Sequence, residues 1–242
     1  MIKAGIDQDA IAALFARATA RQKGALRQAV CEATLKALQG RELTLENIRR
    51  VLKAVAVASS NGVADNPARA ATLQSLLSYA VQGMDAALLT AVQANRTALQ
   101  QFMDLGVGLQ SEQMKLALAN LDKMEDVFVG VLGKVTQASA DVLAGPWTKV
   151  LQGVKRDGTR AGTQASLVVA QLVEKSQLAL RTGRSANVRA AQAMMDSYGS
   201  LVSGVLMGMS EALTSTSAAP PKPPARGNHV RSRTGRMAGP GG

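Results

Sequence analysis

Apolar residues recur along the chain at intervals of three and four residues, the spacing that places them on one face of an α-helix. In the N-terminal region this set comprises Ile11, Leu14, Phe15, Ala18, Leu26, Ala29, Val30, Ala33 and Leu38. The stripe from Asp7 to Leu38 predicts one helix that ends at Gly40. Thr44 can cap a second helix, since Glu46 in its first turn favours the dipole and an apolar stripe follows. The two predicted helices would form an antiparallel hairpin.

The longest apolar stripe lies in the middle of the chain, in steps of four, three and four residues from Leu73 to Val135. The steps mostly repeat over 11 residues, close to the period of a straight α-helix, so the stripe runs along the helix axis with little supercoil. Only Asn95, Gln113 and Asn120 are polar among its members, apart from one glycine. The large apolar side chains that define this central stripe are Leu73, Leu77, Met84, Leu88, Leu99, Phe102, Leu109, Leu116, Met124, Val127 and Val131.

Glycines and a proline mark the expected boundaries of the remaining helices. Gly106 and Gly108 each disfavour a helix by about 1 kcal/mol relative to alanine, so we expect a hairpin or a kink there. A hairpin would lay residues 68–104 against residues 110–144. Pro146 predicts the next boundary, because proline can open a helix but cannot continue one. Three glycines between residues 153 and 162 predict a loose stretch, after which helices resume across residues 165–180 and 186–213.

Composition supports an all-α fold. Aromatic residues make up 2% of the chain, alanine, leucine, valine and methionine carry the apolar fraction, and no stretch keeps the alternation typical of strands. We therefore predict antiparallel amphipathic helices, arranged as a bundle or as elongated helical hairpins. The predicted segments are a basic N-terminal helical hairpin over residues 1–62, long amphipathic helices over 63–144, C-terminal helices over 145–214 and a disordered basic tail over 215–242.

Positive charge is concentrated at the two ends of the chain. The net charge is +11, with +5 over residues 1–60, −2 over 61–140, +3 over 141–218 and +5 in the remaining tail. The tail has no acidic residue, and its cations are Lys222, Arg226, Arg231, Arg233 and Arg236. It has too little apolar surface to fold, so we expect it to be disordered. Nucleic acid or an anionic lipid surface is the natural counterpart of such a segment.

The chain offers few groups for catalysis. His229 is the only histidine and lies in the tail, so the body cannot assemble a Ser-His-Asp triad, a Cys-His pair or a histidine-rich metal site. Asp122, Glu125 and Asp126 alternate with lysines at helical spacing, which favours a solvated face over acid-base chemistry. We expect a protein that is not an enzyme, without catalytic residues, metal, cofactor or small-molecule substrate. The single cysteine, Cys31, excludes an internal disulfide and fits a reducing compartment.

Two glycine patterns have alternative interpretations. The segment Gly153–Thr159 has the glycine spacing of a phosphate-binding loop, but it lacks the lysine and the preceding strand, and a break facing solvent is the favoured interpretation. Gly204 and Gly208 have the spacing that lets two helices approach closely. A tight contact within the bundle is favoured there over a dedicated dimer face.

The stretch YAVQGMDAALLTAVQANRTALQQFMDLGVGLQSEQMKLALANLDKM resembles the phasins, helical proteins that coat bacterial polyhydroxyalkanoate storage granules. The likeness lies in amphipathic helices rich in alanine, leucine and glutamine, an apolar face with methionine and phenylalanine, and a basic C-terminus that contains proline. It covers residues 68–144, with a weaker echo in 163–214. The resemblance implies a coat on a hydrophobic surface, and some granule-associated proteins of this kind also contact DNA through a basic tail.

We therefore expect a cytoplasmic homo-oligomer that adsorbs to a hydrophobic granule or a lipid surface through its apolar stripes, with the basic tail touching DNA or another polyanion. The same apolar stripes could instead pack against one another as the core of an ordinary helical bundle. Two other functions stay open: a helical oligomer associated with nucleic acid, and a helical adaptor or effector that binds a protein partner.

Overall fold

The computed structural model describes residues 6–39, 43–105, 111–181 and 198–217. These residues form helices and no strand, which confirms the predicted all-α class. The elements are α1 (Gln8–Ala16), a short 3-10 helix (Ala20–Gln22), α2 (Lys23–Gln39), α3 (Leu45–Ala64), α4 (Ala70–Asp104), α5 (Glu112–Asp122), α6 (Met124–Ala138), α7 (Asp141–Asp157), α8 (Arg160–Arg181) and α9 (Tyr198–Ser217). Gly40, Gly106, Gly108, Leu109, residues 186–197 of the last predicted helix and residues 218–242 of the predicted tail lie outside the described residues. Residues 215–217, assigned to the tail from the sequence, are helical.

Helix α4 is the centre of the bundle. It has 35 residues, which corresponds to a length of about 50 Å. Helices α2, α3, α7, α8 and α9 all pack on it, and it is buried around most of its circumference. Its length and mean hydropathy of 1.2 would also allow it to cross a membrane, but 61% of its apolar window is buried inside the bundle, as in the core helix of a soluble protein.

The N-terminal helices belong to the same core as the rest of the described chain. The predicted helix from Asp7 to Leu38 is divided, because the chain leaves the helical path between α1 and the 3-10 helix. Asn66 stabilises this break by donating from Nδ2 to the carbonyl oxygens of Phe15 (2.8 Å) and Ala18 (3.0 Å). The predicted cap of the next helix is confirmed, since Thr44 Oγ1 accepts from the backbone N–H of Asn47.

Two glycines allow helices to cross at very short distance. A Cβ on Gly83 of α4 would lie 2.6 Å from the carbonyl oxygen of Arg27 and 2.7 Å from Cβ of Val30 in α2. A Cβ on Gly62 of α3 would overlap the backbone of Ala12 in α1. The absence of a side chain at these positions therefore sets how closely α2 approaches α4 and α1 approaches α3.

The interruption predicted at Gly106 and Gly108 is present, since α4 ends at Asp104 and α5 begins at Glu112. The predicted pairing of residues 68–104 with 110–144 is wrong. Helix α5 packs mainly on α8, and α6 packs on α3 and α7. The reason is that the buried residues of α4 cover more than one face, so it takes the centre and is surrounded by other helices instead of pairing along one stripe.

The boundary predicted at Pro146 is also wrong. Helix α7 begins five residues earlier, at Asp141, and continues through Pro146 and Gly153 to Asp157. Pro146 is the sixth residue of α7, so it removes the hydrogen bond to the carbonyl of Val142 and crowds that carbonyl, but the helix continues through it with Pro146 and Trp147 both buried. The chain breaks instead at Gly158, whose φ of +71° is the left-handed conformation that favours glycine.

Candidate functional surfaces

The central stripe is the core of the bundle. Its buried members are Leu73, Leu77, Met84, Leu88, Leu99, Phe102, Met124, Val127 and Val131, none of them more than 7% exposed. Leu116 is the exception, with 63% of its surface exposed. In the folded bundle these side chains contact other helices, so adsorption through the stripe requires the helices to separate.

The stripe is out of register in α5. The predicted positions were Gln113, Leu116 and Asn120, whereas the structure buries the residues one position later, Met114, Ala117 and Leu121. Helix α5 rests on α8 through this second set and turns Leu116 outward. The two polar residues in the predicted set were the signal that the stripe changes face after the glycine break.

Non-directional apolar burial holds most of the bundle together. Four ion pairs occur among the described residues, all with exposed side chains, and only that of Lys175 with Asp104 (2.7 Å) joins two helices. A hydrogen bond between side chains joins α7 to α3, where the indole N–H of Trp147 donates to Ser60 Oγ (3.0 Å). Exposed ion pairs contribute little, about 0–1 kcal/mol each.

One polar member of the central stripe joins α9 to α4. Asn95 is 4% exposed, and its Oδ1 accepts a 2.5 Å hydrogen bond from the hydroxyl of Tyr198, while its Nδ2 donates to the carbonyl of Ala91. The rings of Tyr198 and Phe102 lie 6.0 Å apart in a tilted arrangement. Burial raises the pKa of the Tyr198 hydroxyl far above its ordinary value, so it remains a donor. The polar interruption at Asn95 therefore specifies where α9 docks.

Three side chains close the N-terminus of α8, where four backbone N–H groups lack partners within the helix. Asp85 of α4 accepts from the N–H groups of Arg160 (3.2 Å) and Ala161 (3.0 Å). Glu125 of α6 accepts from the N–H of Thr159 (2.9 Å), and Thr159 Oγ1 accepts from the N–H of Gly162 (2.8 Å). This capped junction thus connects α4, α6 and α8 by directed hydrogen bonds.

The capped junction corrects two sequence interpretations. Glu125 does not belong to a solvated face, because its carboxylate reaches the start of α8. The predicted loose stretch from Gly153 to Gly162 is ordered instead, and the amides that could have met a phosphate are already occupied by Asp85 and Glu125. Burial raises the pKa of Asp85, although the hydrogen bonds from Ala161 and Arg160 and the charge of Arg160 oppose that shift.

The glycine pair of α9 does not make the expected tight contact. No described atom lies within 4 Å of a Cβ placed on Gly204 or Gly208, and both residues face outward. The interpretation as a close contact inside the bundle is wrong for the described residues, because α9 packs through the neighbouring positions Val202 and Leu206. The alternative of a dimer face stays a prediction.

Several large apolar side chains remain on the outer surface. They include Leu116 on α5 and Leu167 and Leu178 on α8, each more than half exposed. The exposed positions of α8 from Thr163 to Leu178 include only one charged residue, Glu174. The outer face of α8 is therefore only weakly polar. The predicted polyanion-binding cations of the tail lie outside the described residues, and within the described ranges no group of three histidine, cysteine, aspartate or glutamate side chains could hold a metal ion.

Comparison with known families places the chain. Residues 1–215 match the model of a family of unknown function, DUF6781, and the chain belongs to that family. The matched range contains all nine described α-helices up to the last residues of α9 and stops before the proline- and arginine-rich tail. No curated protein and no solved structure matches the chain.

Proposed function

We propose that this member of a family of unknown function is a non-enzymatic, surface-associating protein that coats hydrophobic storage granules in the manner of phasins. The apolar stripes of residues 70–140 and 163–214 would adsorb to the granule, and the polar faces would remain in water. The basic tail would contact DNA or another polyanion. The coat would keep granules from coalescing.

The observation that carries the proposal is that burial of apolar stripes supplies most of the contact between the described helices, with a smaller number of directed hydrogen bonds. Burial of apolar area stabilises by about 25 cal/mol per Å² whether the partner is another helix or an apolar surface. A helix that leaves the bundle for a granule therefore exchanges one apolar partner for another. It keeps its own backbone hydrogen bonds in the process.

The outer faces of the helices fit adsorption as well. Between Thr163 and Leu178 the surface of α8 is mostly threonine, serine, alanine and glutamine. Helices with such weakly polar backs can lie flat on an apolar surface without removing many charges from water. The directed contacts that must break are few, and the capped junction is the most extensive of them.

A sedimentation assay tests this proposal. The full chain is mixed with polyester particles, with anionic vesicles or with neither, and the bound fraction and helix content are measured. We expect binding to particles with helix content retained. Asp85→Ala, which loosens the capped junction, should adsorb faster, whereas Asp122→Ala, which removes an exposed carboxylate outside the junction, should adsorb at the wild-type rate. No binding to either surface would contradict the proposal.

The tail has its own test. Deleting residues 219–242 should abolish retention on DNA at low salt. If its five cations all meet phosphates, binding should show a salt slope of about −4 to −5. Retention that does not change on deletion would remove the tail from the proposal. Capture of one stoichiometric protein partner, regardless of the surface offered, would favour the adaptor function instead.

A further inference from the structure

Helices α2 and α8 both pack on α4 but not extensively on each other, and an open groove lies between them. Ala86 of α4 contributes to its lining, together with Leu35 and Cys31 of α2 and Ser210 of α9. Helix α9 packs on α4 and α2 and so covers part of the same channel. The part that remains open has a volume of about 690 Å³. Small-molecule sites in proteins span about 300–1,000 Å³, so a ligand with an acyl chain can be accommodated.

Three cations surround this groove. Arg27 and Lys36 come from α2, and Arg160 is the first residue of α8, so positive charge lies on both walls. None of the three forms an ion pair with a described residue. One carboxylate, Glu32, also lines the groove, and its Oε1 accepts from Gln28 Nε2 on the same helix. The groove therefore combines an apolar lining with an excess of positive charge.

Two other grooves among the described residues have similar volumes. The one beside the start of α4, of about 770 Å³, is flanked by Arg17 and Arg21 and is more open to solvent. The second lacks the combination of an apolar lining with several unpaired cations. It lies between α4 and α7 and has a volume of about 710 Å³. Arg156 on its wall is already paired with Asp157 at 2.7 Å, which leaves Lys149 as its one cation without an ion pair to a described residue, and glutamine and serine side chains of α4 line the opposite side. The groove between α2 and α8 is the better site for a ligand that is both apolar and anionic.

We infer that the groove between α2 and α8 binds a long-chain carboxylate, with the acyl chain over Ala86 and Leu35 and the carboxylate held by Lys36 and Arg160. A hydrocarbon chain gains from leaving water, and a carboxylate gains most from arginine and lysine donors. An uncharged chain would leave the cations without partners, and a cationic chain would be repelled. The inference does not depend on the proposed granule coat.

Cys31 provides a reporter inside the groove. It is the only cysteine of the chain and is half-buried among the lining residues. Burial raises the pKa of its thiol, and Glu32 adds to this shift while Arg27 opposes it. Alkylation is therefore best followed at about pH 8.5, where enough thiolate is present. A ligand in the groove should shield the sulfur from the reagent.

The experiment measures the rate of Cys31 alkylation in the full chain with and without dodecanoate, below the concentration at which it forms micelles. At a ligand concentration ten times the dissociation constant, we expect about a tenfold lower rate, since only the unoccupied fraction reacts. Lys36→Gln combined with Arg160→Gln should weaken the apparent affinity about tenfold, from two partly exposed charge contacts. Arg49→Gln, which removes an exposed cation of α3 away from the groove, should leave the affinity unchanged.

Neutral and cationic chains of the same length complete the test. Dodecanol and dodecyltrimethylammonium should give little protection at concentrations where dodecanoate saturates. Circular dichroism and a thermal melt show whether each variant is folded, and Lys36→Gln alone serves if the double variant is not. Absence of protection by dodecanoate would overturn the inference. Equal protection by dodecanol would also overturn it, as would an affinity for dodecanoate that does not change in the variants. The inference is overturned as well if the Cys31 thiol reacts only after residues 219–242 are deleted, because the tail and not the ligand would then occupy the groove.

Discussion

Replacing Asp85 by alanine tests the packing of α8 against α4. The carboxylate is 9% exposed and accepts two backbone N–H groups at the start of α8, those of Arg160 and Ala161. In Asp85→Ala both donors lose their acceptor. A buried donor left unsatisfied costs about 1–3 kcal/mol, and loss of a helix cap about 0.5–2 kcal/mol. Part of this is offset, because the buried carboxylate no longer has to leave water.

We therefore expect Asp85→Ala to lower the free energy of unfolding by about 2 kcal/mol. For a chain of this size each kcal/mol shifts the melting temperature by about 2–4 °C, so the expected decrease is about 4–8 °C. The measurement is a thermal melt followed by circular dichroism, with a urea titration for the free energy. Asp104→Ala is the matched control, because it removes an aspartate of the same helix whose exposed ion pair with Lys175 contributes less than about 1 kcal/mol. A loss no larger than that of the control would refute the reasoning.

Three further predictions follow from the helix contacts. Burial raises the pKa of Asp85 above its ordinary value of 3.8, so ionising the carboxyl costs more in the folded state than in the unfolded state. The stabilisation linked to the bound proton is present below pH 3.8 and is lost as pH rises through the folded pKa, so in urea titrations wild type should lose stability over that range relative to Asp85→Asn, which does not titrate. Gly83→Ala should lower the free energy of unfolding by about 1–3 kcal/mol through its overlap with α2, whereas Gly130→Ala, with open space around it, should raise it by up to about 1 kcal/mol. Tyr198→Phe should cost about 1–2 kcal/mol, because it leaves the buried Asn95 oxygen without its donor, and an unchanged urea midpoint would contradict this.

The fold class could be predicted because the helical period of the apolar residues is a local property. The cap at Thr44 and the helix break at Gly106 could also be predicted, since helix capping and the helix-ending effect of glycine depend on only a few neighbouring residues. The central position of α4 was missed, although the 15-residue uncharged run from Ala70 to Met84 was a signal for it. In the structure Leu73, Leu76, Leu77, Ala80, Val81, Gly83 and Met84 of this run are buried, and burial continues along α4 to Phe102, so the helix is surrounded by others.

The contacts that form the groove between α2 and α8 and the capped junction could not be predicted from local sequence patterns. Asp85 and Arg160 are 75 residues apart, and no sequence rule pairs a carboxylate in one helix with the first amides of another. The cations of the groove, Arg27, Lys36 and Arg160, likewise line one groove only through the packing of α2 and α8 on α4. In α5 several apolar residues lie on adjacent faces, so contact with α8 decides which of them is buried, and the stripe was placed one residue too early.

The most direct test of the surface-coat proposal uses Trp147. It is the only tryptophan of the chain, it is fully buried in the stripe of α7, and its indole N–H is bonded to Ser60. The measurement is its fluorescence on anionic vesicles whose acyl chains carry bromine, a quencher that acts only on contact. Helix α7 lies outside the two stripes proposed to adsorb but packs on α4, α6 and α3, so opening of the stripes removes the surroundings of Trp147. If the helices open, bound protein should show Trp147 fluorescence that is either quenched by the bromine or shifted to the emission of a tryptophan in water, while its helix content is retained. Bound protein whose Trp147 fluorescence is neither quenched nor shifted would show that the bundle stays closed, and it would contradict adsorption through the apolar stripes.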